Sequence, residues 1–269
     1  MNIKINGEKV QTNLSTILAI QAAFYPEIKT PVRILNGFQT SENLEITEGD
    51  ELFFIEKGKF PKQEEFEAML SARHTPHVYE KVKQGRVAIA GLGGLGSNIA
   101  ILLARTGIGH LHLVDFDVVE PSNLNRQQYK IRHLGMHKTE AMKAELQEIN
   151  PFVTVEIDTV RVTQENAREL FADDDIICEA FDTPEAKALL INEIAGHFPQ
   201  KKIVSGSGMA GYESSNLIQT KKSIGNLYLC GDGVTNAKVG RGLMAPRVAI
   251  CAGHEANMIL RLLLGQETV

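Results

Sequence analysis

The stretch Val87-Ala88-Ile89-Ala90-Gly91-Leu92-Gly93-Gly94-Leu95-Gly96 contains a glycine-rich turn directly after a run of apolar residues. The residues from Gly96 to Arg105 have a helical period, so the turn joins a strand to a helix, the setting in which G-x-G-x-x-G binds phosphate. Its glycines permit close approach of the backbone to a ligand, and free N–H groups at the helix start attract phosphate oxygens. A turn used only for packing is the alternative. We expect a nucleotide, ATP or NAD, at Gly91, Gly93, Gly94 and Gly96.

Downstream of this turn, short apolar runs alternate with helical periods. Strands are predicted at Val87–Ala90, Leu111–Val114, Val153–Ile157, Ile176–Glu179 and Ile203–Ser205. Helices are predicted at Gly96–Arg105, Lys138–Ile149, Gln164–Phe171 and Glu185–His197, and from Pro246 to about Leu264. This alternation is typical of an α/β fold, here a Rossmann-like, mostly parallel sheet with helices on both faces. The glycine-rich residues 207–245 are expected to cross the sheet as an antiparallel strand pair and a loop.

The first 57 residues have a different pattern. Asn6-Gly7 and Asn36-Gly37 are hairpin turn signals, and the apolar-periodic stretch Ile17–Phe24 predicts a helix with Ser15 as its cap. The order strand, strand, helix, strand, strand predicts a small β-grasp (ubiquitin-like) domain. The predicted domains are residues 1–57, the β-grasp domain; residues 58–85, a connector of two short helices; and residues 86–269, the nucleotide-binding domain.

The composition is that of an ordinary globular protein. The 269 residues are 43% hydrophobic and 23% charged, with a formal net charge of −5, which argues against nucleic-acid or anionic-membrane partners. The longest apolar run, Ile99–Ala104, is too short to span a bilayer, and the first residues lack the features of a signal peptide, so we expect a cytoplasmic protein. The three cysteines form no Cys-x-x-Cys pair, so no structural zinc is expected.

Polar residues that follow the second predicted strand of the sheet restrict the chemistry further. Asp115 ends this strand, where a carboxylate can hold ribose hydroxyls. Arg126 has the fork geometry to bind phosphate oxygens, and Lys138, at the head of the next helix, supplies a second cation. A lysine there opposes the helix dipole, which indicates a nearby anion; a solvated surface lysine is the alternative. Neutral donors are expected from Asn123, Asn125 and Gln127.

Asp182 follows the predicted strand Ile176–Glu179. Because the carboxyl ends of parallel strands line the binding crevice, its carboxylate is a candidate ligand for a Mg²⁺ that bridges phosphates. The alternative role of Asp182 is N-cap of the helix that begins near Pro184.

Together, these elements resemble the ThiF/MoeB/HesA family of adenylyltransferases, relatives of the ubiquitin-activating enzymes. The resemblance covers roughly residues 73–264 and rests on the glycine turn, the pair Asp115 and Asp117, Ser122–Gln127, Gly135-x-x-Lys138 and Asp182. The segments Gly208–Tyr212 and Gly242–Pro246 further resemble a ThiF-like subgroup assigned to thiamine biosynthesis.

The resemblance implies an activity and a role for each matching residue. Asp115 would hold the ribose; Asn123, Arg126 and Lys138 the triphosphate; and Asp182 would support Mg²⁺ and catalysis. Arg73 is the positional candidate for an arginine that reaches ATP across a homodimer. The implied reaction is ATP-dependent adenylylation of the C-terminal carboxylate of a ThiS-like sulfur-carrier protein ending in Gly-Gly. Some relatives use a cysteine, but Cys230 has no neighbouring Lys or Arg to lower its pKa and is left out of the catalytic set.

Residues 1–57 resemble a fused ThiS-type carrier, but the chain continues through Gly58-Lys59 without a Gly-Gly end. Our hypothesis is a degenerate carrier that serves packing, dimer formation or regulation. Three alternatives to carrier adenylylation stay open: an NAD-dependent oxidoreductase on the same fold, a scaffold without activity, and adenylylation of another carboxylate or of a modified tRNA base.

Overall fold

The computed structural model describes residues 1–269, except for the side chain of Pro76. Two compact units form, Met1–Lys81 and Val82–Val269. The finer division into domains at 1–57, 58–85 and 86–269 remains a prediction. Among the helices described, none combines the length and the apolar character that crossing a bilayer requires.

The first unit contains a five-stranded sheet in the order β2-β1-β5-β3-β4. Its strands are β1 (Asn2–Ile5), β2 (Glu8–Gln11), β3 (Val32–Leu35), β4 (Phe38–Thr40) and β5 (Glu51–Ile55). Helix α1 (Ile17–Phe24) lies between β2 and β3, and α2 (Gln63–His74) and α3 (Pro76–Gln84) follow β5. The β-grasp prediction is confirmed, but strand β4, only three residues long, was not predicted. The cap prediction is wrong by one residue: Thr16, not Ser15, accepts the N–H of Ala19, at 3.4 Å.

Helices cover both faces of this sheet. On one face, Ile17 and Ile20 of α1 pack with buried residues of β1 and β5 (Ile3, Ile5, Leu52, Phe54). On the other face, Ile34, Phe53 and Ile55 pack against α2 through Ala68, Met69 and Ala72. Helix α2 is therefore part of the core of this unit.

The second unit is a seven-stranded sheet in the order β11-β12-β10-β9-β6-β7-β8. The strands are β6 (Arg86–Ala90), β7 (His110–Val114), β8 (Thr154–Asp158), β9 (Ile176–Glu179), β10 (Lys202–Gly206), β11 (Gln219–Lys222) and β12 (Leu227–Gly231). The helices are α4 (Gly94–Thr106), α5 (Lys138–Ile149), α6 (Gln164–Leu170), α7 (Pro184–His197) and α8 (Ala245–Leu263). β11 pairs antiparallel with β12, and the other pairs of neighbouring strands are parallel. The Rossmann-like sheet and the antiparallel pair within 207–245 are confirmed.

The register of the sheet brings three strand ends to one place. Ala90 of β6 pairs with Val114 of β7 on one side and with Glu179 of β9 on the other. The residues that follow these ends therefore start side by side at one edge of the sheet. Strand order also reverses at β6, and such a switch point is where open α/β sheets bind ligands.

A buried histidine joins two acidic residues elsewhere in this unit. His112 is 2% exposed, and its Nδ1 and Nε2 lie 2.8 Å from Asp174 and 2.9 Å from Asp158. Burial alone lowers the pKa of His112, but the hydrogen bonds to Asp174 and Asp158 and the charges of Asp174 and Glu156 outweigh burial and leave the pKa raised above its ordinary value of 6.5. Because both ring nitrogens face carboxylates, the imidazolium is the stabilised form.

This geometry predicts how the stability of the fold depends on pH. With a raised pKa in the folded state, the contribution of His112 is complete below pH 6.5 and is lost as pH rises through the folded-state pKa. We expect His112→Gln to lower the free energy of unfolding at pH 6 by about 1–3 kcal/mol, and the difference from wild type to shrink as the pH rises through the folded-state pKa of His112. Urea unfolding at several pH values measures this. His197→Gln, at an exposed position, is the control, and a gap for His112→Gln that is constant with pH would contradict the assignment.

Candidate functional site

The glycine-rich turn contains two glycines that packing requires and one that it does not. A Cβ on Gly96 would lie 1.8 Å from the carbonyl oxygen of Gly91. Gly91 has φ +95°, and a Cβ there would lie 2.8 Å from the oxygen of Ala180. Gly93, the N-cap of α4, has no neighbour closer than 3.9 Å. The backbone in front of Gly93 is therefore open, beside a helix start whose N–H groups suit an anion.

Asp115 lies against this turn and is 7% exposed. Its Oδ2 accepts the N–H of Leu92 at 2.6 Å, and its Oδ1 accepts the N–H of Asp117 at 2.8 Å. Each carboxylate oxygen can accept a further hydrogen bond, so the group ties the turn to the end of β7 and can still receive hydroxyls.

Arg126 lies over the turn. Its Cγ and Cδ are each 3.5 Å from the position that a Cβ on Gly94 would take, and its Nη1 donates to Oδ1 of Asn125 at 2.9 Å. Within the described part of the chain, two of the buried atoms here have no hydrogen-bond partner: Nε of Arg126 and Oε1 of Gln127. Buried polar atoms are seldom left unsatisfied, so these two atoms indicate a place where a polar ligand binds.

Two residues that the sequence analysis missed hold Arg126 in this position. Asn98 donates to the oxygens of Gly94 (2.7 Å) and Arg126 (3.2 Å). Ser97 donates to the oxygen of Gly93 at 2.6 Å and accepts the N–H of Gln128 at 3.2 Å. Their only sequence signal is a pair of polar residues at the start of the otherwise apolar run Ile99–Ala104.

Lys138 begins α5 and is 6% exposed, so the alternative of a solvated surface lysine is wrong. Its Nζ lies 2.9 Å from Oδ2 of Asp117. The position of Lys138 at the start of a helix predicted a nearby anion, and in this structure that anion is the Asp117 carboxylate. This ion pair is part of the same strand edge as Asp115, two residues earlier.

Asp182 is exposed, in the turn between β9 and α7. The alternative that it caps α7 is wrong, because Thr183 is the N-cap, with its side chain accepting the N–H of Ala186, and Pro184 begins the helix. This leaves the carboxylate free for another role. Ala180, two residues earlier, donates its N–H to the oxygen of Ala90 at 2.8 Å, which fixes the turn beside the glycine-rich turn.

The remaining predicted residues are less directly placed. Oδ1 of Asn123 accepts the N–H of Glu120 at 3.0 Å, so this atom caps the short helix Pro121–Asn125. Arg73 belongs to the first unit, in the last turn of α2, and its role stays a prediction. Cys230 is fully buried, and burial, followed by the charge of Glu255, raises its pKa to about 12. Its thiolate is therefore scarce at neutral pH.

The fold and this edge define a Rossmann-like α/β protein with a glycine-rich turn at the switch point of its sheet, where proteins of this class bind ligands. Within that class, the model of the ThiF family matches residues 67–269, and the chain belongs to this family. A second model, ThiS-like ubiquitin, matches residues 1–58.

Relatives with curated names include the adenylyltransferase and sulfurtransferase UBA4 of Eremothecium gossypii, 34% identical over 70% of this chain and 44% of that protein. UBA4 of Kluyveromyces lactis is 35% identical over 70% of this chain and 43% of that protein. The chain thus spans less than half the length of these relatives. Among solved structures, E. coli tRNA N6-threonylcarbamoyladenosine dehydratase, TcdA, in complex with ATP, has a TM-score of 0.67 at 22% identity, over 74% of this chain and 93% of that chain. This likeness shows the fold.

The surroundings of the glycines predict opposite effects of the same substitution. Gly96→Ala places a methyl group on the Gly91 oxygen and should lower the free energy of unfolding by about 3 kcal/mol, the upper end of the usual cost of overpacking. Gly93→Ala meets no close neighbour and should leave the fold intact, yet weaken nucleotide binding about tenfold, because its methyl projects into the open space.

Urea unfolding and titrations with ATP and NAD check both effects. Gly196→Ala, in α7 with nothing within 4 Å, is the matched control. It should leave nucleotide affinity unchanged and should not lower the free energy of unfolding, because alanine is favoured over glycine in a helix. Unchanged nucleotide affinity in Gly93→Ala would exclude the open side of the turn as the binding surface.

Proposed function

We propose that this protein transfers the adenylyl group of ATP to a carboxylate, the C-terminus of a small ubiquitin-like sulfur-carrier protein. The observation that carries the proposal is the packing of Arg126 against Gly94 of the glycine turn, with its Nε unpartnered. The Lys138–Asp117 ion pair and the turn that carries Asp182 support it, because they follow the ends of the neighbouring strands β7 and β9. The UBA4 relatives are adenylyltransferases and sulfurtransferases by name. The proposal takes only the first activity, because the described geometry supports phosphate chemistry and the thiol of Cys230 is buried.

In the proposed step, a carboxylate oxygen of the carrier attacks the α-phosphorus of ATP. The new bond joins this oxygen to phosphorus, the bond from phosphorus to the α,β-bridging oxygen breaks, and pyrophosphate leaves with the electron pair. The products are the acyl-adenylate and pyrophosphate. Because the substrate itself is the nucleophile, the protein contributes positioning and charge stabilisation. Arg126 and Lys138 would stabilise the phosphate charge, and Asp115 would orient the ribose.

A Mg²⁺ ion fits the donors available at this edge. Among the described residues, no group of three or more His, Cys, Asp or Glu side chains could hold a metal, but Mg²⁺ usually takes one or two carboxylates together with phosphate oxygens and water. Asp182, exposed and not used as a cap, is the carboxylate for this role. When bound, the ion would neutralise charge on the phosphates.

Two features favour ATP over NAD. A dinucleotide pyrophosphate needs the glycine turn and a ribose acid, which Asp115 satisfies, but it leaves Arg126 without a ligand and Lys138 with only its ion pair to Asp117. A triphosphate carries more negative charge, which matches these two cations and the unpartnered Nε of Arg126. The same residues argue against a scaffold without activity, which has no use for them.

Two segments of the second unit support a ThiS-like protein as the carrier. Gly208–Tyr212 and Gly242–Pro246, which resemble the thiamine-biosynthesis subgroup, lie side by side, since Gly211 donates its N–H to the oxygen of Gly242 at 2.8 Å. Arg247 joins them by donating to the oxygen of Ala210 at 2.7 Å. We propose a ThiS-like carrier ending in Gly-Gly, and a homodimer in which Arg73 completes the site.

We further propose that the β-grasp part of the first unit is not the substrate. The match to ThiS-like ubiquitin ends at Gly58, but the chain continues into α2, which packs into the core of the same unit. A terminal carboxylate at Gly58 exists only after cleavage of the chain.

The proposed site predicts which arginine activity requires. Arg126→Ala and Asp182→Ala should each lower the rate of carrier-dependent ATP–pyrophosphate exchange about 10²–10³-fold, because each removes one charged contact to the transferring group. Both variants should remain folded. Arg132→Ala is the matched control: this arginine lies in the same segment but pairs with Glu145 and Glu148. ATP with Mg²⁺ should raise the melting temperature and NAD should not. Wild-type exchange in Arg126→Ala, or stabilisation by NAD alone, would refute the assignment.

The role of the fused module predicts a single intact species. Mass spectrometry of the purified protein, before and after incubation with ATP and Mg²⁺, should show the uncleaved chain without added AMP. A stable fragment that ends at Gly58 and gains AMP would instead make the module the substrate.

A further inference from the structure

Glu179, the last residue of β9, is a fully buried carboxylate with four donor contacts. Its Oε1 accepts the N–H of Phe181 at 2.8 Å, and Ser205 donates to its Oε2 at 2.5 Å. Nζ of Lys187 donates to both oxygens, at 3.2 and 2.9 Å. A buried carboxylate without such donors would be very unfavourable. Here three different elements supply them: the turn after β9, the strand β10 and the helix α7.

These contacts fasten both ends of the turn that carries Asp182. Phe181 directly precedes Asp182, and Lys187 lies near the start of α7, which begins at Pro184. The same turn lies against the glycine turn, because the oxygen of Ala180 would be 2.8 Å from a Cβ on Gly91. One carboxylate thus fixes Asp182 relative to the phosphate-binding backbone.

Stability alone does not account for this arrangement. Replacing a buried ion pair by apolar residues of similar size is often neutral or stabilising. A lysine near a helix N-terminus, as Lys187 is, also opposes the helix dipole. Glu179 and Lys187 do, however, fix the backbone on both sides of the exposed residue Asp182, through Phe181 before it and helix α7 after it.

We propose that Glu179, together with Lys187, is a positioning residue for the divalent cation that accompanies the nucleotide. It holds the Asp182 carboxylate at the distance from the glycine turn at which an ion on the phosphates is bound. This inference rests on the proposed function.

The test measures cation binding without turnover. The probe is an ATP analogue with a methylene group between the α- and β-phosphates, and the readout is the MgCl₂ concentration at half-maximal thermal stabilisation of the protein. The variants are Glu179→Gln, which keeps one acceptor oxygen for the N–H of Phe181 and turns an amide N–H towards the hydroxyl oxygen of Ser205, and the double variant Glu179→Met/Lys187→Met, which removes both charges. Asp174→Asn is the matched control, because Asp174 is a buried, ion-paired carboxylate just before the amino-terminal end of β9.

We expect both Glu179 variants to raise the Mg²⁺ midpoint about 10–100-fold, the usual effect of losing a partner that orients a metal ligand. Binding of the analogue in EDTA should stay within about twofold of wild type. Adding Asp182→Asn to Glu179→Gln should raise the Mg²⁺ midpoint by less than about a further twofold. Both substitutions disrupt the same interaction, the binding of the cation by the Asp182 carboxylate, so their effects should not add. Asp174→Asn should lower the melting temperature and leave the midpoint unchanged.

A wild-type midpoint in the double Met variant would overturn the positioning role, and so would an equal shift in Asp174→Asn. Failure of the proposed function has a different signature: the wild-type protein would not be stabilised by the analogue at any MgCl₂ concentration, and the inference would fall with it.

Discussion

At the start of α4 the backbone of Gly96 approaches the carbonyl of Gly91 so closely that a Cβ would lie 1.8 Å from the oxygen. This contact lets the helix start directly behind the end of β6, so that its first N–H groups point across the edge of the sheet. Asp115 accepts the N–H of the intervening Leu92. Asn98 of α4 donates to the oxygens of both Gly94 and Arg126 and so links Arg126 to the turn. Each further group at the edge is placed relative to this helix start. A larger residue at Gly96 would move all of them at once.

Much of this edge could be predicted from the sequence, because its parts are local. A strand, a glycine turn and a helix follow one another between Arg86 and Thr106, and their order alone fixes their geometry. Asp115 follows the end of β7 and Lys138 begins α5, and the ends of parallel strands lie together at one edge of a sheet. The strand Ile176–Glu179 and the helix Lys138–Ile149 have the predicted bounds, since each is bordered by turn or polar residues.

The parts that could not be predicted depend on topology or on small energy differences. Asn98 and Gln128 are joined by a hydrogen bond of 2.7 Å, and Glu179 and Ser205 by one of 2.5 Å, but each pair is distant in sequence. Strand β4 has three residues, too few for a period to be read. Thr16 and Thr183 cap helices next to Ser15 and Asp182, residues with equal or higher capping preference. The observed caps thus lie one residue after the positions that local capping preference favours.

The two buried glutamates around β9, Glu179 and Glu255, have different partners. Glu179 faces Lys187 and its neutralising charge, whereas Glu255 of α8, also fully buried, contacts the thiols of Cys178 and Cys251 at 3.8 and 3.7 Å. Burial raises the pKa of Glu255 to about 8; the charge of Lys187 opposes this effect and that of Glu179 adds to it. Glu255 therefore keeps its proton at neutral pH, and Lys187 contacts Glu179 directly. Because Glu179 also accepts the N–H of Phe181, its contact with Lys187 links the start of α7 to the turn that carries Asp182.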